Sequence, residues 1–297
     1  MKAWKAELLL FFVTFIWGGT FVFTKLGLDF VSPSLFVTIR FSIALIIALI
    51  IFGKHLKGIN KNTIIAGLVL GSFFGGGFVL QTWGLTLTTV TKSAFITGMS
   101  VIFTPFVFKL IVKKNILFWS KIGVAIAFIG LWLFTNPEFD NINIGDFLTL
   151  LSTFFWAFYI VYMDVFTNGK SDFSETVQLV IMQFIGTIVI SLLGHIFFEG
   201  ATFEVEISST LLIALAYNGI LASFVLTFIH TGFQRYTTPV KAALIFSLEP
   251  IVAALVAMFV LNEILNGREL IGAIILMSAV LVSELGDFVI NLFTAKK

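Results

Sequence analysis

Ten apolar stretches, most of about twenty residues, fill almost the whole chain and leave only short polar or Gly/Pro-marked breaks between them. An α-helix needs about 20 apolar residues to cross the hydrocarbon core of a bilayer. Only 11% of the 297 residues are charged, whereas a soluble domain carries about 25% charged residues. The sequence therefore predicts an all-α integral membrane protein with ten transmembrane helices. The stretches run over residues 8–28, 34–52, 64–87, 93–112, 117–134, 145–166, 173–198, 208–233, 239–261 and 270–290.

One block of sequence occurs twice. Residues 81–126 match residues 230–275 when shifted by 149 positions without a gap, and 11 of the 46 pairs are identical. Internal duplication in a membrane protein is typical of secondary transporters. The identical polar pairs include Thr88 with Thr237, Thr89 with Thr238, and Lys92 with Lys241.

The duplication divides the ten stretches into two repeats of five. Residues 1–139 are predicted to form the first repeat and residues 140–297 the second. Because each repeat contains an odd number of spans, its two copies enter the membrane from opposite sides, which defines an inverted repeat. In such folds the substrate site lies near the bilayer midplane between the halves. We therefore expect a central cavity.

The distribution of basic residues predicts the orientation. If the N-terminus is cytoplasmic, 14 of the 18 Lys and Arg residues fall on cytoplasmic loops or nearby helix ends, as the positive-inside rule requires. The exceptions are Lys25, Arg40, Lys92 and Arg268. This bias predicts a multi-pass protein of the cell membrane, and of a bacterial inner membrane in particular, with both termini in the cytoplasm.

Five short segments of the chain stand out as a set. They are Phe15-Ile16-Trp17-Gly18-Gly19-Thr20-Phe21, Phe154-Phe155-Trp156-Ala157-Phe158-Tyr159, the run from Lys241 to Leu248-Glu249-Pro250, Leu261-Asn262-Glu263, and Gly272-Ala273-Ile274-Ile275-Leu276. These segments resemble the EamA-type members of the drug/metabolite transporter superfamily, and the resemblance covers nearly the whole chain. It implies ten helices in two inverted five-helix repeats, a central cavity, and movement of small metabolites, often the export of amino acids or toxic compounds.

The first repeat departs from this family pattern. Ser100 stands where the second repeat has Glu249, and Lys114 stands where it has Glu263. The family's acidic positions therefore carry over to the second half alone. The two halves are predicted to be alike in architecture and different in chemistry.

Glu249 is the sharpest candidate for a functional side chain. It lies about eleven residues into its apolar stretch, and a carboxylate at the centre of a helix in the membrane costs about 3 kcal/mol. It must therefore face protein or a water-filled cavity. Two interpretations remain open: a proton site that couples transport to a gradient, and a hydrogen-bonded strut at the helix kink before Pro250.

Basic residues near the outer ends of the first-half spans are candidates for binding a carboxylate. Arg40 lies deepest, six residues into its span. The alternative for Arg40 is a side chain that snorkels to the interface or pairs with Asp29. The same alternatives apply to Lys25 and Lys92.

Aromatic and polar residues within the spans are candidates for the cavity wall. Aromatic walls bind apolar solutes by burial and cations through the ring faces. Most of the 37 phenylalanines must simply pack or face lipid. The substrate-binding candidates, besides Arg40, are Trp17, Phe21, Gln81, Phe95, Trp156, Tyr159, Tyr217 and Asn218.

Other motifs favour structural roles. Gly67, Gly71 and Gly75 place a groove on one helix face, which indicates close helix packing. His55, His195 and His230 lack metal-ligand spacing and are predicted to be loop, interface or core residues. We therefore expect no metal, no cofactor and no catalytic residue.

The leading hypothesis is a secondary transporter that exports a small metabolite by alternating access. The candidate substrates are an amino acid, a weak carboxylate and an aromatic or drug-like compound, with protons as a candidate coupling ion. The alternative is an intramembrane enzyme acting on a lipid or isoprenoid. The expected partners are a small-molecule substrate and the lipid bilayer; no nucleic-acid partner is expected, because the net charge is only +2.

Overall fold

The computed structural model describes residues 3–135, 143–169, 172–261 and 266–294, and within these ranges helices are joined by loops, with one isolated β-bridge between Val31 and Val205. Glu263 lies outside these residues. Two short 3-10 turns, Gly53–Leu56 and Gln234–Tyr236, connect helices. The helices are α1 (Ala3–Gly27), α2 (Pro33–Phe52), α3 (Lys61–Leu87), α4 (Val90–Gly98), α5 (Ser100–Val112), α6 (Phe118–Thr135), α7 (Ile144–Thr167), α8 (Phe173–Phe198), α9 (Ser209–Leu215), α10 (Leu226–Phe233), α11 (Pro239–Phe246), α12 (Glu249–Leu261) and α13 (Gly267–Thr294), with a π-helical segment (Ala216–Val225) joining α9 to α10.

The helices identify a multi-pass membrane protein. Eight helical segments are long and apolar enough to cross a membrane, counting α4–α5, α9–α10 and α11–α12 as one segment each. Two shorter apolar helices, 118–133 and 270–283, lie within α6 and α13. Each of the ten apolar stretches in the sequence falls on one of these segments, and many of the exposed side chains on them are large and apolar.

The repeated threonines begin two equivalent helices. Thr89 precedes α4 and its side chain accepts a hydrogen bond from the backbone N–H of Lys92. Thr238 precedes α11 and accepts in the same way from Lys241. A threonine at this position satisfies a backbone donor that the first helical turn leaves without a partner. The polar matches in the duplicated block are thus helix caps.

Two spans that the sequence predicts as continuous are broken in the middle. The first break lies at Met99, between α4 and α5, and the second lies at Ser247 and Leu248, between α11 and α12. Met99 and Leu248 are 149 positions apart. The breaks also lie against each other, since a Cβ placed on Gly98 would be 3.1 Å from Cγ of Pro250.

The glycines of α3 allow close packing against α8, as the sequence predicts. A Cβ on Gly71 would lie 2.8 Å from Cα of Gly186 and 2.9 Å from the backbone nitrogen of Thr187. A Cβ on Gly75 would lie 3.0 Å from Cα of Thr187. The absence of a side chain at these positions lets the two backbones approach closely.

Several helix contacts join the first half of the chain to the second. Helix α3 packs along α7 and α8, and α6 packs along α13. Helix α1 contacts α12, while α2 contacts α8 and the π-helical segment. The largest cluster of buried apolar side chains includes residues from both halves, so the two halves share one core.

A polar cluster ties the ends of α2, α3 and α8 together. The Glu199 carboxylate accepts hydrogen bonds from Ser32 Oγ (2.5 Å), the Ser34 backbone N–H (2.8 Å) and Trp83 Nε1 (2.6 Å), and contacts His195 Nδ1 at 2.7 Å. Burial raises the pKa of Glu199, but the bonds from His195, Ser32 and Ser34 outweigh it and hold that pKa below its usual value of 4.5. His195 is therefore a packed core residue, as the sequence indicates.

Candidate functional site

A central cavity lies beside the two helix breaks. Its volume is about 40 Å³, well below the roughly 300–1,000 Å³ of typical small-molecule sites, so the surrounding helices must move apart to admit a solute. Among the described residues, its lining is formed by Trp17, Thr20, Phe78, Gln81, Thr97, Ser100, Trp156, Tyr159, Ile160, His230, Phe246 and Glu249.

Equivalent positions of the two halves line this cavity together. Ten of the twelve lining residues fall into pairs with a constant separation in the sequence. Pairs on the first helix of each half are 139 positions apart, and pairs in the duplicated block are 149 positions apart. These pairs are Trp17 with Trp156, Thr20 with Tyr159, Gln81 with His230, Thr97 with Phe246, and Ser100 with Glu249.

The structure brings together about half of the residues that the sequence singles out. Trp17, Gln81, Trp156, Tyr159 and Glu249 line the cavity. The other candidates, which do not line it, are Phe21, Arg40, Phe95, Tyr217, Asn218 and Pro250.

Four of these other candidates have structural contacts that explain their positions. Phe21 packs in a second apolar cluster with Val22, and Phe95 is buried in the main core. The Tyr217 hydroxyl donates to the Ile16 carbonyl at 2.7 Å. Asn218 donates to its own helix and contacts Thr24.

Arg40 lies behind the cavity wall. Its side chain is 1% exposed, and its Nε donates to Ser223 Oγ at 3.0 Å. The guanidinium carbon lies 4.4 Å from the ring centroid of Phe78, which does line the cavity. Both expected alternatives are wrong: a buried side chain does not snorkel, and Arg40 forms no ion pair with Asp29.

His230 is a core residue, as the sequence analysis expected, and it also lines the cavity, which that analysis did not expect. It is completely buried and its ring lies edge-on to Trp17 and Phe246, with centroids 5.3 and 5.0 Å away. A lone histidine in an apolar segment carries little signal. The duplicated block nevertheless held a clue, because His230 corresponds to Gln81, which was already a candidate.

Tyr159 and His230 belong to a buried hydrogen-bonded chain. Gln183 Nε2 donates to the Tyr159 hydroxyl oxygen at 2.9 Å, and this oxygen lies 3.5 Å from His230 Nδ1. His230 Nε2 bonds to Gln234 Oε1, and Gln234 Nε2 donates to the Ile160 carbonyl at 2.6 Å. The chain fixes the orientation of two cavity side chains.

Glu249 is the first residue of α12 and is partly exposed to the cavity. The described residues form no hydrogen bond with its carboxylate. A strut at the kink would require such a bond. The geometry therefore favours a carboxylate that is available to a solute or a proton in the cavity.

Matched polar contacts lie at the two opposite ends of α1. At its C-terminal end, Lys25 Nζ caps α3 through the Leu85 and Thr88 carbonyls, at 2.6 and 3.2 Å. Beside it, Thr88 Oγ1 donates to Asp146 at 2.7 Å and Lys92 Nζ lies 2.6 Å from Asp146 Oδ2. The expected alternatives, snorkelling and pairing with Asp29, do not describe Lys92.

The corresponding contact lies near the N-terminal end of α1. Thr237 Oγ1 donates to Glu7 Oε1 at 2.8 Å. Thr237 lies 149 positions after Thr88, and Asp146 lies 139 positions after Glu7. The two contacts are therefore equivalent. In each, an acidic residue near the start of the first helix of one half contacts the threonine that precedes the fourth span of the other half.

The fold and the cavity define a multi-pass membrane protein with a central cavity, and sequence comparison identifies its family. The EamA-like transporter family model matches residues 4–136 and again residues 143–284. The chain therefore belongs to the EamA-like transporter family, and it is a transporter rather than an enzyme.

Individual relatives agree with this assignment. An uncharacterized transporter of Archaeoglobus fulgidus is 32% identical over 96% of this chain and 87% of its own length. A probable amino-acid metabolite efflux pump of Salmonella typhimurium is 25% identical over 95% of both chains. An S-adenosylmethionine uptake transporter of Rickettsia prowazekii is 24% identical over 81% of this chain and 78% of its own.

A solved crystal structure has the same fold. It superimposes with a TM-score of 0.75 over 96% of this chain and 98% of the other, at 14% sequence identity. This likeness supports the helical arrangement described above. Groups of three or more potential metal-ligating side chains do not occur within the described ranges.

Proposed function

We propose that this protein is a secondary transporter that exports a small metabolite through the central cavity by alternating access. Its halves, residues 1–139 and 140–297, act as inverted five-helix repeats that rock about the cavity. The observation that carries this proposal is the pairing of ten lining residues between the two halves. A catalytic site has no need of such pairing, whereas a site exposed to each side in turn does.

The matched end contacts supply the two closures that alternating access requires. The Asp146 contacts with Thr88 and Lys92 close one end, and the Glu7 contact with Thr237 closes the other. Both are formed in this structure. Opening one while the other stays closed exposes the cavity to one side of the membrane. With both termini in the cytoplasm, the Glu7 contact is the inner closure.

Glu249 is our candidate for coupling transport to a proton gradient. Its carboxylate faces the cavity without a hydrogen-bond partner among the described residues, so a proton and a solute can compete for it. Glu249→Gln keeps the size of the side chain and removes its charge. The variant should lose the acceleration of transport by a proton gradient. Full proton-driven transport by this variant would rule out the coupling role.

The proposal is tested by blocking the cavity in purified protein reconstituted into liposomes. Exchange of a broad panel of labelled metabolites is measured for the wild type and for Ser100→Trp, which places an indole inside the cavity. Ser72→Trp is the matched control because Ser72 is exposed on α3. We expect Ser100→Trp alone to abolish exchange. An inactive wild type across the panel, or full activity of Ser100→Trp, would contradict the proposal.

A further inference from the structure

The charge of the cavity lining is one-sided. Glu249 provides a carboxylate, and the described lining residues include neither lysine nor arginine. We propose that the cavity takes a small organic cation, an ammonium group on an aromatic or apolar body, in preference to a carboxylate. This inference rests on the proposed function only in that the cavity is the same.

His230 is the one lining residue that, if protonated, would counter the Glu249 charge, and its hydrogen bonds hold it neutral. Gln234 donates its amide to the Ile160 carbonyl, so its Oε1 accepts from His230 Nε2. Nδ1 then accepts the Tyr159 hydroxyl proton, while the Tyr159 oxygen accepts from Gln183. A second proton on the His230 ring would remove the acceptor at Nδ1 and so break this chain of hydrogen bonds.

Apart from the Ser100 hydroxyl, the hydroxyls of the lining donate their protons to protein groups. Thr20 Oγ1 donates to the Trp17 carbonyl at 2.6 Å, and Thr97 Oγ1 donates to the Ser93 carbonyl at 2.9 Å. Gln81 Nε2 donates to Thr97 Oγ1 at 2.8 Å, which leaves its Oε1 as an acceptor. These groups therefore offer lone pairs to a solute, and a solute with N–H donors matches them.

The donors that remain for an acidic solute are neutral. They are the Ser100 hydroxyl, the second amide N–H of Gln81, and the Trp156 Nε1–H, which is buried without a partner among the described residues. The Arg40 guanidinium does not line the cavity; it stacks on the Phe78 ring, which does. A carboxylate in the cavity would face Glu249 without an adjacent cation, which is costly in a low-dielectric site.

Aromatic rings complete a site suited to a cation. Trp17 and Trp156 come from equivalent positions on the two halves, and Tyr159 and Phe246 also line the cavity. Ring faces attract ammonium groups, and most strongly where water is excluded. A carboxylate combined with these rings recognises both the charge and the apolar body of an organic amine.

The test compares three probes of similar size: phenethylammonium, hydrocinnamate and phenethyl alcohol. Their binding to the full chain in lipid nanodiscs is measured by calorimetry near neutral pH, for the wild type, Glu249→Gln and the control Glu204→Gln. Glu204 is exposed. Thermal unfolding verifies that each variant is folded.

We expect the wild type to bind phenethylammonium at least about tenfold more tightly than hydrocinnamate, a difference of about 1.4 kcal/mol. Glu249→Gln should remove this preference and leave phenethyl alcohol binding unchanged, while Glu204→Gln should behave as the wild type. Absence of phenethylammonium binding, an equal or tighter affinity for hydrocinnamate, or a preference that survives in Glu249→Gln would overturn the inference. Because binding needs no transport, an inactive protein in liposomes would contradict the proposed function and leave this result standing.

Discussion

At the scale of single residues, small differences at equivalent positions give the cavity its chemistry. Ser100 corresponds to Glu249, and Gln81 corresponds to His230. Each pair occupies related places on the lining, yet the charged or titratable member belongs to the second half. The sequence comparison predicted this asymmetry for Ser100 and Glu249, and the structure places both residues in one cavity.

Trp17 and Trp156, which the sequence singled out, line the cavity, whereas Phe21 and Phe95 do not. Residue type and depth in a span show that a side chain lies in the membrane. They do not show which neighbour the side chain faces. Phe21 lies one helical turn from Trp17 and packs against the second cluster instead. Such choices depend on how helices far apart in the sequence pack together, which no local pattern records.

Tyr159→Phe tests the buried hydrogen-bonded chain. The hydroxyl accepts from Gln183 and donates to His230, so its removal leaves two fully buried polar groups without partners. We expect a loss of about 1–3 kcal/mol in unfolding free energy, measured by denaturant titration in detergent. Tyr162→Phe on the same helix serves as the control and should change stability little. Equal effects of the two substitutions would contradict a contribution of these hydrogen bonds to stability.

Glu199→Gln tests the cluster at the ends of α2, α3 and α8. The pKa of Glu199 is lowered in the folded state, so its contribution is present above the usual carboxyl pKa and is lost as pH falls through the lowered value. The wild type should therefore lose thermal stability on acidification by more than Glu199→Gln does. At neutral pH the variant should be less stable by about 1–2 kcal/mol. Glu204→Gln is the control, and identical acid profiles for all three proteins would contradict this account.

At the scale of helices, the sequence predicted where spans lie better than how they are built. Every apolar stretch falls on a helical segment, because hydropathy over about twenty residues is a strong signal. The mid-span break at Met99 was not predicted, whereas the break at Ser247–Leu248 lies just before Pro250, where one interpretation of the sequence placed a helix kink. Pro250 has no backbone N–H, so the helix lacks a hydrogen bond near the second break. The first break has no adjacent proline, so no residue type marks it in the sequence. In the structure it packs against the second break, where Gly98 meets Pro250.

Gly71→Ala tests the contact between α3 and α8. The added methyl group would press on backbone atoms of Gly186 and Thr187, which do not yield easily. We expect a loss of about 1–3 kcal/mol in stability from overpacking, measured by thermal or denaturant unfolding in detergent. Gly53→Ala is the control because nothing lies within 4 Å of a Cβ at that position. An unchanged stability of Gly71→Ala would contradict this prediction, because it would show that α3 and α8 can move apart without a loss of free energy.

At the scale of the whole molecule, the duplicated block connects sequence, fold and site. It predicted two related halves, and the family model matches the chain twice. The sequence did not reveal the second constant separation of 139 positions, which relates α1 to α7. Three of its matches carry polar or aromatic side chains in the cavity or the end contacts: Glu7 with Asp146, Trp17 with Trp156, and Thr20 with Tyr159.

The central claim is that two end contacts close one cavity alternately, and thiol labelling from each side of the membrane tests it. The chain contains no cysteine, so Ser100→Cys provides a single probe inside the cavity. Labelling rates are measured in sealed vesicles of each orientation with a membrane-impermeant reagent. The Ser100→Cys protein is compared with three variants that carry a second substitution. These are Asp146→Ala, Glu7→Ala at the equivalent position of the other half, and the exposed control Glu204→Ala.

We predict that Asp146→Ala raises the labelling rate only from the side where Lys92 lies, and that Glu7→Ala raises it only from the opposite side. Each increase should be about tenfold or more, because a contact that stabilises the closed end by about 1.4 kcal/mol is lost. Glu204→Ala should leave both rates unchanged. Increases from the same side in both variants, or no change in either, would contradict alternating access through this cavity.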